Sequence, residues 1–297
     1  QGFAWLYFLY QQQFGGCLAD DMGLGKTLQA LTLLLKVRQE ALANSQPGSD
    51  SLQLGLFGHD QDSEEAHATS LIVMPTSLLH NWHNEIRKFA PSLRVMQYVG
   101  QRNGKIEQFT RYDVILTSYG IVRNDYQQLK EFEFLYVILD ESQYIKNPGS
   151  KIYKAIEELD SRHRLVLTGT PIENSLTDLW AQLNFLNEGL LGSYNYFREN
   201  FVIPIERYKD EAREDLLQAL IQPFLLRRRK ADVAGELPPV TEQIIFCDLT
   251  PEQRQVYDQH KSRIRNQLLQ DIEEAGKETS NILILKSLTE LRQLSNH

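Results

Sequence analysis

The stretch that decides the fold is Ala19-Asp20-Asp21-Met22-Gly23-Leu24-Gly25-Lys26-Thr27, set between the short apolar run Gly16-Cys17-Leu18 and the helical run LQALTLLLKV. A phosphate chain needs backbone N–H groups aimed at it and a helix N-terminus behind it. It also needs a lysine that reaches the outer phosphates and a hydroxyl that holds Mg²⁺. Gly23 and Gly25 allow the close backbone approach, Lys26 is the cation and Thr27 the hydroxyl. The phosphate-contacting stretch therefore runs from Asp21 through Met22, Gly23, Leu24, Gly25, Lys26 and Thr27 to Leu28. The strict pattern G-x-x-x-x-G-K-[ST] fails at its first position, where Asp20 stands in place of glycine. A glycine-rich turn with a chance Lys-Thr is the alternative, and the strand before and helix after weigh against it.

Working outward, short runs rich in Val, Ile and Leu alternate with amphipathic helical patterns from about residue 15 to 190. That alternation predicts an α/β fold, a parallel sheet with helices on both faces. The expected strands are Gly16 to Ala19, Ser70 to Met74, Leu93 to Tyr98, Asp113 to Thr117, Leu135 to Leu139 and Arg164 to Leu167. Their C-terminal ends are where an open α/β sheet places its ligand. Residues 44–69, rich in Ser, Gly, Asp and Gln without sustained period, read as a surface insertion. Beyond residue 190 the pattern becomes helical. Thr250-Pro251-Glu252-Gln253 makes a helix start. Apolar stripes follow at Val256, Tyr257, Ile264, Leu268 and Ile272, and at Leu285, Leu288, Leu291 and Leu294. The expected division is thus a nucleotide-binding lobe over 1–190 and a C-terminal helical subdomain over 191–297.

A second chemical element is Tyr136-Val137-Ile138-Leu139-Asp140-Glu141-Ser142-Gln143, an apolar strand ending in two carboxylates. In phosphoryl transfer one carboxylate holds Mg²⁺ and a neighbour orients the attacking water, so Asp140 is assigned to the metal with Thr27, and Glu141 to the water. Alone, such a pair after a strand is more often a helix cap or a solvated turn. The phosphate loop upstream turns the reading toward catalysis.

Taken together with Leu167-Thr168-Gly169-Thr170-Pro171-Ile172-Glu173-Asn174, these residues resemble helicase superfamily two, and within it the Swi/Snf-type ATPases. The resemblance covers essentially the whole chain. It includes Asp20 to Gln29, Met74-Pro75-Thr76-Ser77-Leu78-Leu79-His80-Asn81-Trp82, Leu116-Thr117-Ser118-Tyr119 and the Asp-Glu-Ser-Gln box. The last stretch is Pro223-Phe224-Leu225-Leu226-Arg227-Arg228-Arg229-Lys230-Ala231-Asp232-Val233, which separates this family from other helicases.

The resemblance implies a RecA-like lobe that hydrolyses ATP with Mg²⁺ and tracks double-stranded DNA without parting its strands. It implies that Gln143 and Thr168-Gly169-Thr170 couple nucleotide state to the arrangement of two motor lobes. The second RecA-like lobe would belong to the same polypeptide and supply an arginine finger, so these residues alone are expected to bind ATP weakly and turn it over slowly. A DNA-associated protein partner is compatible with this family. The box ends in Gln where His is commoner, which resembles the prokaryotic branch. The chain opens at Gln1-Gly2-Phe3, just after the family's adenine-reading Gln, so Gln1 is not given that role.

On the DNA side, Leu78, Leu79, Trp82, Ile86 and Phe89 fall on one helical face and leave Asn81, Asn84, Arg87 and Lys88 exposed. By resemblance Pro75, Thr76, Ser77, Thr117 and Ser118 lie along the DNA backbone, where hydroxyls and N–H groups bind phosphate oxygens without reading bases. Asn81, Lys88 and Arg228 join this set; the Arg227 to Lys230 run is otherwise a solvated face. His80 and His83 lack a third ligand and read as structural.

Composition narrows the alternatives. The hydrophobic fraction of 42% supports a buried core, and a net charge of −8 argues against a protein that coats nucleic acid through bulk charge. Two distant cysteines, Cys17 and Cys247, suggest neither disulfides nor zinc and fit a reducing compartment. That compartment is the cytoplasm, associated with the nucleoid, for a prokaryotic protein, or the nucleus for a eukaryotic one. No apolar run approaches the roughly 18 residues that span a bilayer, so no membrane partner is expected. An RNA helicase, a restriction-type translocase and a nucleotide-gated scaffold with little hydrolysis remain as rival functions.

Overall fold

A computed structural model describes residues 1–44, 68–100, 105–169, 175–233, 243–244, 246, 248–275 and 277–295. Most of the segment read as an insertion lies outside these residues. The strands are β1 (Gly16–Leu18), β2 (Ser70–Met74), β3 (Val95–Gln97), β4 (Val114–Ser118), β5 (Phe134–Asp140), β6 (Ser161–Leu167) and β7 (Leu225–Leu226). The helices are α1 (Gly2–Gln11), α2 (Lys26–Asn44), α3 (Leu79–Phe89), α4 (Tyr119–Leu129), α5 (Lys151–Glu157), α6 (Leu176–Leu186), α7 (Tyr194–Phe197), α8 (Glu211–Ile221), α9 (Lys230–Val233), α10 (Pro251–Ala275) and α11 (Lys277–Ser295).

The strands form one sheet in the order β3-β4-β2-β5-β6-β1-β7, and every pairing is parallel. Side chains alternate across it as the pleat requires. Ile72, Met74, Leu116, Ile138 and Leu167 point to a core shared with Leu6 of α1, Leu31 and Leu34 of α2, and Trp82 and Ile86 of α3. Leu71, Val73, Ile115, Val137 and Leu139 point to the other, shared with Tyr119 and Val122 of α4, Tyr153 of α5 and Phe185 of α6. Helices therefore cover both faces in a RecA-like arrangement. The central strands read as continuous apolar runs because both sides are buried, the signature of a parallel sheet.

Two compact units result, Gln1–Leu237 and Pro238–His297. The first runs well past residue 190, where the sequence pattern changes. Phe197 of α7, Phe201 in the π-helical segment Arg198–Arg207, and Leu217 and Ile221 of α8 all enter the same core as α4 to α6. These helices belong to the lobe because their apolar faces have nowhere else to be buried. The seventh strand, β7, was not expected; two residues are too short to show a period.

In the second unit α10 opens as expected. Gln253 N–H donates to Thr250 Oγ1 at 3.3 Å and Thr250 N–H to Gln253 Oε1 at 3.2 Å, a reciprocal capping box. The apolar stripe of α11 is only partly covered, with Leu285 69% and Leu288 61% exposed, since two helices provide a single seam. Among the described residues no helix is long and apolar enough to cross a membrane.

Candidate nucleotide site

Behind β1 the chain turns through Asp20 to Gly25 before α2 begins at Lys26. Gly23 has φ +85° and Gly25 φ +76°, backbone that L side chains rarely adopt, so both positions need glycine. Lys26 Nζ donates to the Asp20 carbonyl at 2.6 Å and to that of Asp21 at 3.4 Å, folded into the loop it closes. Burial draws its pKa below the ordinary lysine value, against the upward pull of Asp140, Glu141, Asp20 and Asp21. Four carboxylates around one half-buried ammonium keep this region well supplied with negative charge.

Asp20, the departure from the strict loop pattern, is fully buried. Its carboxylate accepts from Arg228: the backbone N–H and Nε both reach Oδ1 at 3.0 Å, and Nη2 pairs with Oδ2. Nη2 also reaches Gln29 Oε1 at 2.8 Å. A glycine at position 20 would leave this guanidinium without its carboxylate. Arg228, expected on the DNA side, thus directs its Nε and Nη2 donors inside the lobe, onto the phosphate loop and α2.

Across from the loop, β5 delivers Asp140. Both carboxylate oxygens accept hydrogen bonds, Oδ2 from Trp82 Nε1 at 2.7 Å and Oδ1 from the Glu141 N–H at 3.0 Å. Tyr119 Oη donates to the Asp140 carbonyl at 2.8 Å. Burial raises the Asp140 pKa; the Trp82 donor lowers it, and the Glu141 charge raises it again. Glu141 itself sits at φ +52°, ψ +57°, a left-handed conformation uncommon outside glycine. Strain of that kind clusters at functional sites. Nothing in an Asp-Glu dipeptide announces it. Gln143 Nε2 donates to Glu141 Oε2 at 3.0 Å, while its buried Oε1 finds no partner among the described residues.

One cleft of about 430 Å³ joins these parts: Gly23, Gly25, Lys26 and Thr27 line one side, Asp140 and Glu141 the other, with Met22 and Leu28 at the loop. A cation-bearing glycine loop facing a carboxylate pair fits a polyphosphate with a divalent cation.

Over its whole length, residues 1–297, the chain matches the model of the SNF2-related domain. The chain belongs to this family. It is 38% identical over 306 residues to YwqA of Bacillus subtilis, covering all of this chain and 30% of that protein. It is 36% identical over 311 residues to the TATA-binding protein-associated factor MOT1 of Saccharomyces cerevisiae, covering all of this chain and 16% of the relative. It therefore spans under a third of these relatives' length. Among solved structures it resembles the SWI2/SNF2 ATPase core of Sulfolobus solfataricus in complex with double-stranded DNA, at 40% identity and a TM-score of 0.67. That match covers all of this chain and 57% of the other. The core solved as a domain gives 38% and 0.66. Since bacterial and yeast relatives match at similar identity, the Gln that ends the box does not assign the chain to a prokaryotic branch.

The remaining residues that the SNF2 resemblance singled out fall in different surroundings. Pro75 is half-buried and Thr76 and Ser77 are exposed, directly after β2. Thr117 is fully buried and its hydroxyl donates to the Tyr98 carbonyl at 3.0 Å, so that hydroxyl is a core group and not a phosphate ligand. Ser118 is 6% exposed. Asn81 lines the nucleotide cleft, with Nδ2 3.4 Å from Glu85 Oε1. Phe89, expected in the core, is 45% exposed in the wall of that cleft, and the exposed Lys88 places its ammonium 4.9 Å from the ring centre. Thr168 is buried, its N–H donating to the Leu18 carbonyl at 3.1 Å. A methyl on Gly169 would meet Met22 Cγ at 3.5 Å, which sets the segment expected to couple nucleotide state to lobe arrangement against the glycine loop. Thr170 lies outside the described residues.

Proposed function

We propose that this chain is the ATP-binding lobe of a double-stranded DNA translocase or remodeller that couples ATP hydrolysis to movement on DNA. The observation that carries the reading is the single cleft in which the Gly23–Gly25 loop, Lys26 and Thr27 face Asp140 and Glu141. Membership of the SNF2-related family, whose members use ATP, supports it. So does the 40% identity to a core solved with double-stranded DNA.

In this reading the loop N–H groups and Lys26 hold the phosphates. Thr27 and Asp140 hold Mg²⁺, which supplies charge neutralisation at the phosphates when bound. Glu141 orients the attacking water, and Gln143, donating to Glu141, fixes its carboxylate. Trp82 and the Glu141 N–H, each holding one oxygen of Asp140, orient the carboxylate that would hold the cation. Thr76 and Ser77 offer exposed hydroxyls and N–H groups to DNA phosphates.

The test is ATP turnover of the full-length protein with duplex DNA, single-stranded DNA and RNA at fixed salt. Stimulation by duplex DNA of any sequence, falling steeply as salt rises, is expected because phosphate contacts release counterions and carry no base information. Stimulation by RNA alone would move the chain to the RNA helicases. Tight ATP binding without turnover under every condition would make it a nucleotide-gated scaffold.

A further inference from the structure

The family-specific stretch around Arg228 is built into the nucleotide site. Pairing between β7 and β1 continues past the strands: Ala19 N–H donates to the Leu226 carbonyl at 2.7 Å and Asp21 N–H to the Arg228 carbonyl at 3.0 Å. The Lys230 N–H then donates to Asp21 Oδ2 at 3.0 Å. Residues 226 to 230 therefore run alongside the phosphate loop, clipped at Asp20 by Arg228 and at Asp21 by the Lys230 backbone.

That clip fixes where the Lys230 side chain goes. A methyl on Gly23 would meet both Lys230 Cε and Nζ at 3.4 Å, so the ammonium lies over the loop at one of its left-handed glycines. Lys230 is exposed, and its ammonium makes no ion pair among the described residues. Lys26 differs in every respect: it is half-buried and already bonded to two loop carbonyls. The loop thus carries one cation folded into it and a second at Gly23 that makes no ion pair among the described residues.

We propose that Lys230 is a second phosphate-binding cation of the nucleotide site, held over the loop by Arg228 and Asp21 and directed at the polyphosphate of the bound nucleotide. The proposal rests on the nucleotide reading of this cleft. Loops of this kind hold a phosphate chain through backbone N–H groups aimed at it. A lysine at Gly23, with three N–H donors and no ion pair among the described residues, would add a second cation to that shell. Gly23 is needed for its backbone conformation, and the end of the Lys230 side chain lies within van der Waals reach of it.

The experiment titrates the full-length protein with Mg·ATP and, separately, with inorganic tripolyphosphate and with adenosine. It compares Lys230→Gln, Lys230→Arg and Lys26→Ala with the parent. A lost charge-assisted hydrogen bond corresponds to roughly tenfold in affinity. Lys230→Gln is expected to weaken ATP and tripolyphosphate by that factor and adenosine not at all, and Lys230→Arg to restore most of the loss. Unchanged ATP and tripolyphosphate affinity in Lys230→Gln, with Lys26→Ala impaired, would overturn the proposal while leaving the nucleotide site intact. Unchanged affinity in Lys26→Ala as well would overturn the nucleotide reading itself. Loss confined to duplex DNA binding would assign Lys230 to the backbone phosphates of DNA and sink the proposal too.

Discussion

The indole N–H of Trp82 ends 2.7 Å from Asp140 Oδ2, so a residue that is 1% exposed in the core face of α3 holds an oxygen at the edge of the cleft. The bond favours the charged carboxylate, opposing the burial that raises its pKa. Trp82→Phe keeps most of the packing and removes the donor. The Asp140 pKa then rises further, so the acid limb of the pH–rate profile moves to higher pH. Half-saturation by Mg²⁺ should increase roughly tenfold, as for other groups that orient a metal ligand. A merely structural role would lower the melting temperature and leave both the acid limb and the Mg²⁺ requirement where they were.

Lys26 and Glu141 should separate binding from chemistry. In the proposed function Lys26 contacts phosphate in the ground state, whereas Glu141 acts mainly on water in the transition state. Lys26→Ala is expected to weaken ATP binding by roughly tenfold or more. Glu141→Gln is expected to bind ATP like the parent and lose hydrolysis. Calorimetric titration beside turnover checks the pair, and an equal loss of affinity in both would refute the division of labour.

His163 gives the lobe a measurable acid sensitivity. Its ring packs 4.7 Å from Tyr10 and 5.0 Å from Tyr136 between centroids, and its buried Nδ1 finds no partner among the described residues. Burial, then the neighbouring Arg162 charge, pulls its pKa down from 6.5 to about 4. Above pH 6.5 both folded and unfolded forms are neutral. As the pH falls from 6.5 toward 4, the unfolded chain gains the proton first and stability is lost. With the ring partly solvated, the loss by pH 5 is about 1 kcal/mol. His163→Phe keeps the aromatic stack and should flatten the melting temperature over that window. An unchanged slope would show that other groups set it.

Much of this was legible in the sequence where one residue's role is local. The central strands are apolar on both faces, so β2 was placed to the residue, and the Thr250–Gln253 box lies within four residues. The glycine loop, Lys26 and the Asp140–Glu141 pair are contiguous motifs that reach one cleft because both sit at C-terminal strand ends. What stayed hidden depends on pairing across the chain. Arg228 meets Asp20 from 208 positions away through a two-residue strand, and a run of basic residues looks solvated until its partner is known. Thr117 read as a DNA contact until Tyr98 was seen to take its hydroxyl, and Phe89 kept helical phase with the core yet stands in the cleft wall.

The conformation of Glu141 sets stability against activity. An L residue in the left-handed region costs roughly 1–3 kcal/mol and persists only where the surroundings hold it. Here they do. Its N–H is used by Asp140 Oδ1 at 3.0 Å and its carboxylate by Gln143 Nε2 at 3.0 Å, which together keep the side chain aimed beside Asp140. Glycine adopts this backbone freely, whereas alanine retains the strain and loses the carboxylate as well. Glu141→Gly should therefore be more stable than Glu141→Ala by about 1 kcal/mol, even though glycine enlarges the entropy of the unfolded chain. Both should be inactive in ATP hydrolysis. Denaturant titration of the two variants beside the parent measures the difference directly. If alanine proves as stable as glycine, residue 141 stores no strain, and its left-handed turn has no part in aiming the carboxylate at the water.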